Sequence, residues 1–173
     1  MEIIEKYGII LRRITPEDLE QVRDWRNSDY IRSQMIFTDY ITEQMQIKWF
    51  ETVNNDQNYY FIAKYKNDDV GVIHIKNIIN NIGEGGIYLT NSKFENTDIF
   101  TRMVLCFNDY IFNVLKIDIM YSHVKCNNPK ALSTSKAQGC VENKEKSTTE
   151  VVYFELNKVN YDKKTIRFKK ILS

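Results

Sequence analysis

Apolar residues in the second half of the chain fall at Ile99, Met103, Val104, Phe107, Ile111, Phe112 and Leu115, in steps of 3 and 4. That spacing predicts a helix over 98–115, about five turns long, with Thr97 or Asp98 as its cap. Strand-like runs flank it at 84–89 and 117–126. Upstream, 59–66 and 70–79 are period-two or continuous apolar runs joined by Asn67-Asp68-Asp69, which predicts a hairpin. Residues 7–14 alternate loosely and predict a strand, followed by a helix start at Thr15-Pro16-Glu17-Asp18. Leu19, Val22 and Trp25 continue that helix, Asn27-Ser28-Asp29 stops it, and a shorter segment occupies 30–35. A third helix opens at Thr42 and carries Met45, Ile47, Trp49, Phe50 and Val53. Asn128 opens a short helix to Gln138 with Gly139 as its C-cap, 149–156 is a long strand, and 157–173 ends in a closing strand near 165–168 and a loose end.

These elements predict an α/β (α+β) fold, one domain over 1–173 with a mixed, mostly antiparallel sheet of about seven strands and helices on both faces. The crossover from 84–89 through the long helix to 117–126 is its obligatory parallel step.

Composition narrows the function. The chain has 173 residues, 43% of them hydrophobic, with 6 Gly and 2 Pro, which is neither disordered nor low-complexity. A net charge of +1 gives no overall field for nucleic acid or an anionic membrane, so an anionic ligand needs a local site. The start, MEIIEKYGII, has acids around a short apolar run and reads as neither a signal peptide nor a membrane span; a cytoplasmic protein is the expectation. Cys106, Cys126 and Cys140 lack C-x-x-C spacing and the two His stand 49 residues apart, so no disulfide framework and no metal site are expected.

The order of elements from Gly83 to Gly139, with GEGGIYL, IMYSHVKC and NNPKAL, resembles the acyl-CoA-binding core of the GNAT superfamily of N-acyltransferases. The W-R-N of RRITPEDLEQVRDWRNSDYIRSQM and the ITEQMQIKWFETVNND, YYFIAKY and VGVIHIKNI stretches resemble the branch that acetylates nucleotide-linked amino sugars, as in the pseudaminic-acid pathway, over about residues 7–157. The resemblance implies acetyl-CoA as co-substrate and a small-molecule amine acceptor, a nucleotide-sugar used for bacterial surface glycans. Two other readings stay open: a non-catalytic GNAT-fold binding or scaffold protein, and a peptide N-terminal or small-amine acetyltransferase. A homodimer is possible through the strand at 151–156.

The resemblance also distributes roles. Glu84 is a base acting through water or a structural carboxylate, and His123 a base on the second splayed strand or a solvent-facing side chain. Ser135 stands where the family has a tyrosine that protonates the leaving thiolate. Donor contacts fall on Ile87 and Leu89 of the central strand, on Asn96, Thr97 and Asp98 of the loop, and on Asn128 and Lys130 of the short helix. Acceptor contacts fall on Arg26, Tyr88 and His74, Arg26 being suited to a carboxylate or phosphate. The loop is the departure: Glu95, Asn96, Thr97, Asp98, Ile99 and Phe100 replace the family's glycines. Each acid about 4 Å from a phosphate costs on the order of 1 kcal/mol in water.

Overall fold

The computed structural model describes residues 3–172. Met1, Glu2 and Ser173, on which part of the N-terminal reading and the loose end fall, lie outside the described residues. The strands are β1 (Ile3–Lys6), β2 (Ile9–Arg13), β3 (Tyr59–Tyr65), β4 (Asp68–Ile79), β5 (Ile82–Leu89), β6 (Ile119–Lys125), β7 (Val141–Glu142) and β8 (Val151–Asn157). The helices are α1 (Leu19–Asn27), α2 (Asp29–Arg32), α3 (Glu43–Val53), α4 (Ile99–Asn113), α5 (Pro129–Ala137) and α6 (Lys158–Leu172). One open sheet runs in the order β1-β2-β3-β4-β5-β6-β8-β7, and every neighbouring pair is antiparallel except β5 with β6. The mixed, mostly antiparallel architecture expected from the pattern is present, with eight strands rather than seven.

Local chemistry explains the boundaries. Thr42 Oγ1 accepts from the Met45 amide and Asn128 Oδ1 from the Ala131 amide, so both predicted caps form. Thr97 Oγ1 accepts from the Ile99 amide, while Asp98 makes no side-chain cap bond. Tyr7 (φ 57°) and Gly8 (φ 74°) turn the chain in the left-handed region, so the expected 7–14 strand starts only at Ile9 and an additional strand, β1, pairs back along it.

Each sheet face carries its own apolar layer. On one, Phe61 packs edge-on against Phe107 of α4 (6.2 Å between ring centres), amid Leu11, Ile75, Met103 and Ile111. On the other, Ile14, Val22, Ile62 and Val72 pack with Trp25, Trp49, Tyr60 and Tyr88 beneath α1 and α3.

Two expectations are corrected. The closing strand near 165–168 is instead part of α6, because Tyr161 and Thr165, four apart, share one helix face and are both buried. Tyr161 donates to the Leu105 carbonyl (3.1 Å) and to Asp109 Oδ1 (2.9 Å), which docks α6 on α4. Nor is 151–156 a free edge: β7 pairs with Phe154 and Glu155, and the Asn143 and Thr148 amides bond the Tyr153 and Val151 carbonyls. The dimer expectation loses the strand it rested on.

Asp109 is 6% exposed and gathers Tyr7 Oη (2.8 Å), Tyr161 Oη, Lys169 Nζ (2.7 Å) and Lys6 Nζ, joining β1, α4 and α6. Burial alone would raise its pKa, but the bonds from Lys169, Lys6 and the tyrosines outweigh burial and hold the carboxyl down to about 2. A depressed carboxyl stabilises the fold above its unfolded pKa of ~3.9, and that contribution disappears as pH falls from there through about 2. We expect Asp109→Asn to cost about 2–3 kcal/mol in urea unfolding at pH 7 and to remove this acid-dependent loss. An Asp109→Asn protein as stable as the parent would show that the cluster does not pin α6.

Candidate active site

The site begins where β5 and β6 part. They pair through Ile82 with Ile119, Gly83 with Met120 and Glu84 with Tyr121, and no later residue of β5 is registered against β6. β5 nevertheless runs on to Leu89 and β6 to Lys125. Gly85 and Gly86 follow the last pair, and neither could carry a side chain as packed. A Cβ on Gly85 would lie 2.4 Å from Met120 Sδ, and one on Gly86 2.4 Å from His74 Cε1. The cleft opens into a cavity of about 950 Å³ that reaches α1, α3, the loop before α4, and α5.

Alternation sorts the side chains by face. Glu84 and Tyr88 of β5, His74 and Lys76 of β4, and Tyr60 of β3 lie on the α1–α3 face with Arg26; Ile87 and Leu89 pack with the α4 layer. Glu84 Oε1 is 3.4 Å from His123 Nδ1 and its Oε2 is 3.3 Å from Lys76 Nζ. Tyr121 stacks on Tyr153 (5.3 Å), and His123 meets the Tyr153 ring edge-on (5.1 Å). Of the three expected catalytic residues, Glu84 and His123 therefore meet, whereas Ser135 lines the cavity from α5.

Deeper on that face, the His74 imidazole stacks on Tyr60 (4.5 Å), whose ring meets Trp49 edge-on (4.9 Å). Burial drives His74 down to about 3, with repulsion from Lys76 and Arg26 acting in the same direction, so its ring stays neutral in ordinary buffers. Burial pushes the Tyr60 hydroxyl up to about 12 and that of Tyr88 upward as well. Among the described residues, Arg26 Nη1, Gln46 Nε2, His74 Nδ1 and Tyr88 Oη on this face, and Asn108 Nδ2 on α4, are buried without hydrogen-bond partners, and all five side chains line the cavity. Buried polar atoms left unmatched are costly unless a ligand or water completes them. The sequence pointed to Arg26, His74 and Tyr88 but not to Gln46, Tyr60, Lys76 or Asn108. Gln46 and Asn108 carry a readable signal, since each is polar on a helix face that is otherwise apolar.

The loop before α4 differs from its sequence reading in two respects. Asn96 takes φ 58°, the left-handed conformation that glycine would otherwise supply. Both acids are paired: Glu95 accepts from Tyr30 Oη (2.6 Å) and Lys130 Nζ (2.7 Å), and Asp98 from Arg102 Nε (2.8 Å). Lys130 and then Tyr30 hold the Glu95 carboxyl below its ordinary pKa. Asn96 and Thr97 line the cavity; Asp98 does not, and Asn128, which does, uses its carbonyl oxygen to cap α5. Among the described residues, no three His, Cys, Asp or Glu side chains come together as metal ligands would. No described helix is long and apolar enough to cross a membrane.

A sequence model described as an acetyltransferase (GNAT) domain matches residues 9–141. Among solved structures, the chain superposes on apo FdhC, a nucleotide-linked sugar GNAT, with a TM-score of 0.82 and 18% identity over 99% of each chain. It superposes on the spermidine N-acetyltransferase of Vibrio cholerae, in complex with CoA and spermine, with a TM-score of 0.79 and 18% identity over 90% of this chain and 99% of that one. A domain from Methanocaldococcus jannaschii gives a TM-score of 0.75 at 19% identity, over 86% of this chain and 97% of that one. No curated protein matches the sequence. At these identities the structural likeness speaks for the fold.

The buried imidazole leaves a signature in stability. The unfolded chain protonates His74 near pH 6.5 while the native state does so only near 3, so the unfolded state binds more protons between them. Stability should fall by roughly 2 kcal/mol between pH 7 and pH 5 in urea titrations. His74→Phe, which keeps a flat ring over Gly86, should flatten that slope. A parent protein with no slope in this window would show that His74 is solvated.

Proposed function

The chain belongs to the GNAT acetyltransferase family, and we propose that it transfers an acetyl group from acetyl-CoA to the primary amine of a nucleotide-linked amino sugar. Acetyl-CoA supplies the acetyl group as a thioester, and the parted strands fit its arm: backbone freed on β5 beyond Glu84 can bond the amides of an extended chain. Ile87 and Leu89 of β5 flank that arm, and Asn96, Thr97 and Lys130 lie toward the open end. Asp98 is turned to Arg102 and Asn128 to its cap, so neither is kept as a donor contact.

The acceptor amine must lose its proton to attack the thioester carbonyl; its nitrogen bonds to that carbon, the carbon–sulfur bond breaks, and the thiolate takes up a proton. His123 is the base in this reading. Its Nδ1 faces Glu84, which leaves Nε2 as the lone-pair nitrogen, and the carboxylate between His123 and Lys76 orients the ring. Ser135, or water held beside it, donates to the departing sulfur. The acetylated amide and free CoA are the products.

The observation that carries the acceptor class is the set of unmatched polar atoms on the α1–α3 face. Arg26 Nη1 and Gln46 Nε2 can only donate, Arg26 has no carboxylate partner among the described residues, and His74 is held neutral. Such a pocket suits oxygen-rich, anionic groups such as a phosphate or a sugar carboxylate. Ile36 and Phe37 line its rim, and Phe37, 47% exposed, offers a surface on which a nucleobase can stack. A polyamine, all donors and positive charge, would meet Arg26 unfavourably, and the nearby carboxylates of Glu84 and Glu95 are already paired. A cytoplasmic location remains part of this proposal.

Acetyl-CoA at 100 times its dissociation constant should stabilise the protein by about 2.7 kcal/mol in thermal-shift or calorimetric titration. No shift at millimolar concentration would sink the donor reading and favour a non-catalytic role. His123→Gln should lower kcat by roughly 10²-fold or more. Glu84→Gln, which leaves the ring less firmly oriented, should lower kcat by a smaller factor. Arg26→Gln should raise KM for a nucleotide-linked amino sugar about tenfold at near-constant kcat. Faster turnover of spermidine than of any nucleotide sugar would replace this acceptor class with polyamines.

A further inference from the structure

The donor cleft has two unlike ends. At one, β5 and β6 close through Glu84 and Tyr121; at the other, the cleft opens between the loop before α4 and the first turn of α5. Chemistry at the closed end forces the hydrophilic, multiply phosphorylated end of an acyl-CoA to the open one. There the glycine-free loop presents Glu95, whose Oε1 accepts from Tyr30 Oη at 2.6 Å and whose Oε2 accepts from Lys130 Nζ at 2.7 Å. Tyr30 belongs to α2 on one side of the opening and Lys130 to α5 on the other, and all three side chains line the cavity. The carboxylate therefore sits between a hydroxyl and an ammonium drawn from separate elements, an arrangement that a phosphate oxygen would satisfy equally well. The neighbouring cations are otherwise engaged: Arg102 with Asp98 and the Tyr7 carbonyl, Lys93 with Asp68, and Lys125 with the Ser33 carbonyl.

We infer that Tyr30 and Lys130 form a phosphate subsite of the donor cleft, and that Glu95 occupies it in the free protein and must be displaced when acyl-CoA binds. The subsite uses side chains where a glycine-rich loop would use backbone amides, and it resolves the conflict of an acid placed beside a phosphate. Glu95 is a stand-in for the ligand's charge rather than a permanent neighbour of it. Release from Lys130 also frees the loop from α2 and α5, so binding of the donor and opening of the cleft are one event. The inference rests on acetyl-CoA being the donor.

The test compares acetyl-CoA with acetyl-pantetheine, which has the thioester and both arm amides but no phosphate, on the parent protein, Glu95→Gln and Lys130→Met by calorimetry. Glu95→Gln should tighten acetyl-CoA three- to tenfold, Lys130→Met should weaken it at least fivefold, and neither should change acetyl-pantetheine by more than twofold. Weakening of acetyl-CoA by both substitutions would make Glu95 a strut that shapes the cleft and overturn the displacement. Equal effects on the two ligands would overturn the phosphate subsite. Unchanged affinities in both variants would also overturn it while leaving the donor reading intact. Absence of acetyl-CoA binding to the parent and to folded Glu95→Gln alike would remove both; binding to Glu95→Gln alone would support the displacement.

Discussion

Everything at the candidate site depends on two strands that stop pairing. A parallel pair is held by slanted hydrogen bonds along its whole length, and β5 and β6 abandon theirs after three registered positions while both strands continue. Packing on both faces helps hold them apart. Gly85 leaves room for Met120 and Gly86 leaves room for His74, so each face of β5 is filled by a side chain from a neighbouring strand. The sheet thereby keeps its apolar layers intact and offers an unpaired strip of backbone at its centre. A side chain at either glycine would push Met120 or the Tyr60–His74 stack aside.

The same parting separates two kinds of polar environment. Around Glu84 the charge is compensated: Lys76 Nζ lies 3.3 Å from one carboxylate oxygen, and His123 Nδ1 lies 3.4 Å from the other. A few residues away on the same face, Arg26 and Gln46 present donors with no acceptors, next to a histidine kept neutral by burial. Compensated charge tolerates proton movement, and uncompensated donors await an oxygen-bearing partner. The contrast gives the cleft a polarity that the near-zero net charge of the chain conceals.

Much of the fold was legible because its signals are local. The 3.6-residue period of 98–115 and the Thr42 and Asn128 caps are local and appear where expected, and the expected hairpin forms with its turn at Lys66-Asn67, one residue earlier than the Asn67-Asp68-Asp69 reading placed it. What escaped was set by distant partners. Thr165-Ile166 and Phe168 look strand-like in isolation, yet Tyr161 and Thr165 recur at helical spacing, and the Tyr161 hydroxyl finds Asp109 52 residues away. At the site, the pairings were not readable. Glu84 and His123 were separate candidates, and nothing in their 39-residue separation announces that they meet.

Glu95 shows most clearly why a loop cannot be judged by its composition. Taken alone, an acid in a phosphate-binding segment is a liability, and the natural conclusion is a decayed site. Its partners lie 65 residues before it and 35 after it, on elements that only the folded sheet brings to the same opening. Once those partners are counted, the segment holds a matched carboxylate, a second acid engaged by Arg102, and an asparagine in the backbone conformation expected of glycine. In the inferred phosphate subsite the loop handles charge with exchangeable side-chain pairs rather than free backbone amides. An exchangeable pair binds an incoming anion by swapping one carboxylate for one phosphate, so net affinity is set by the difference between two similar interactions rather than by either alone.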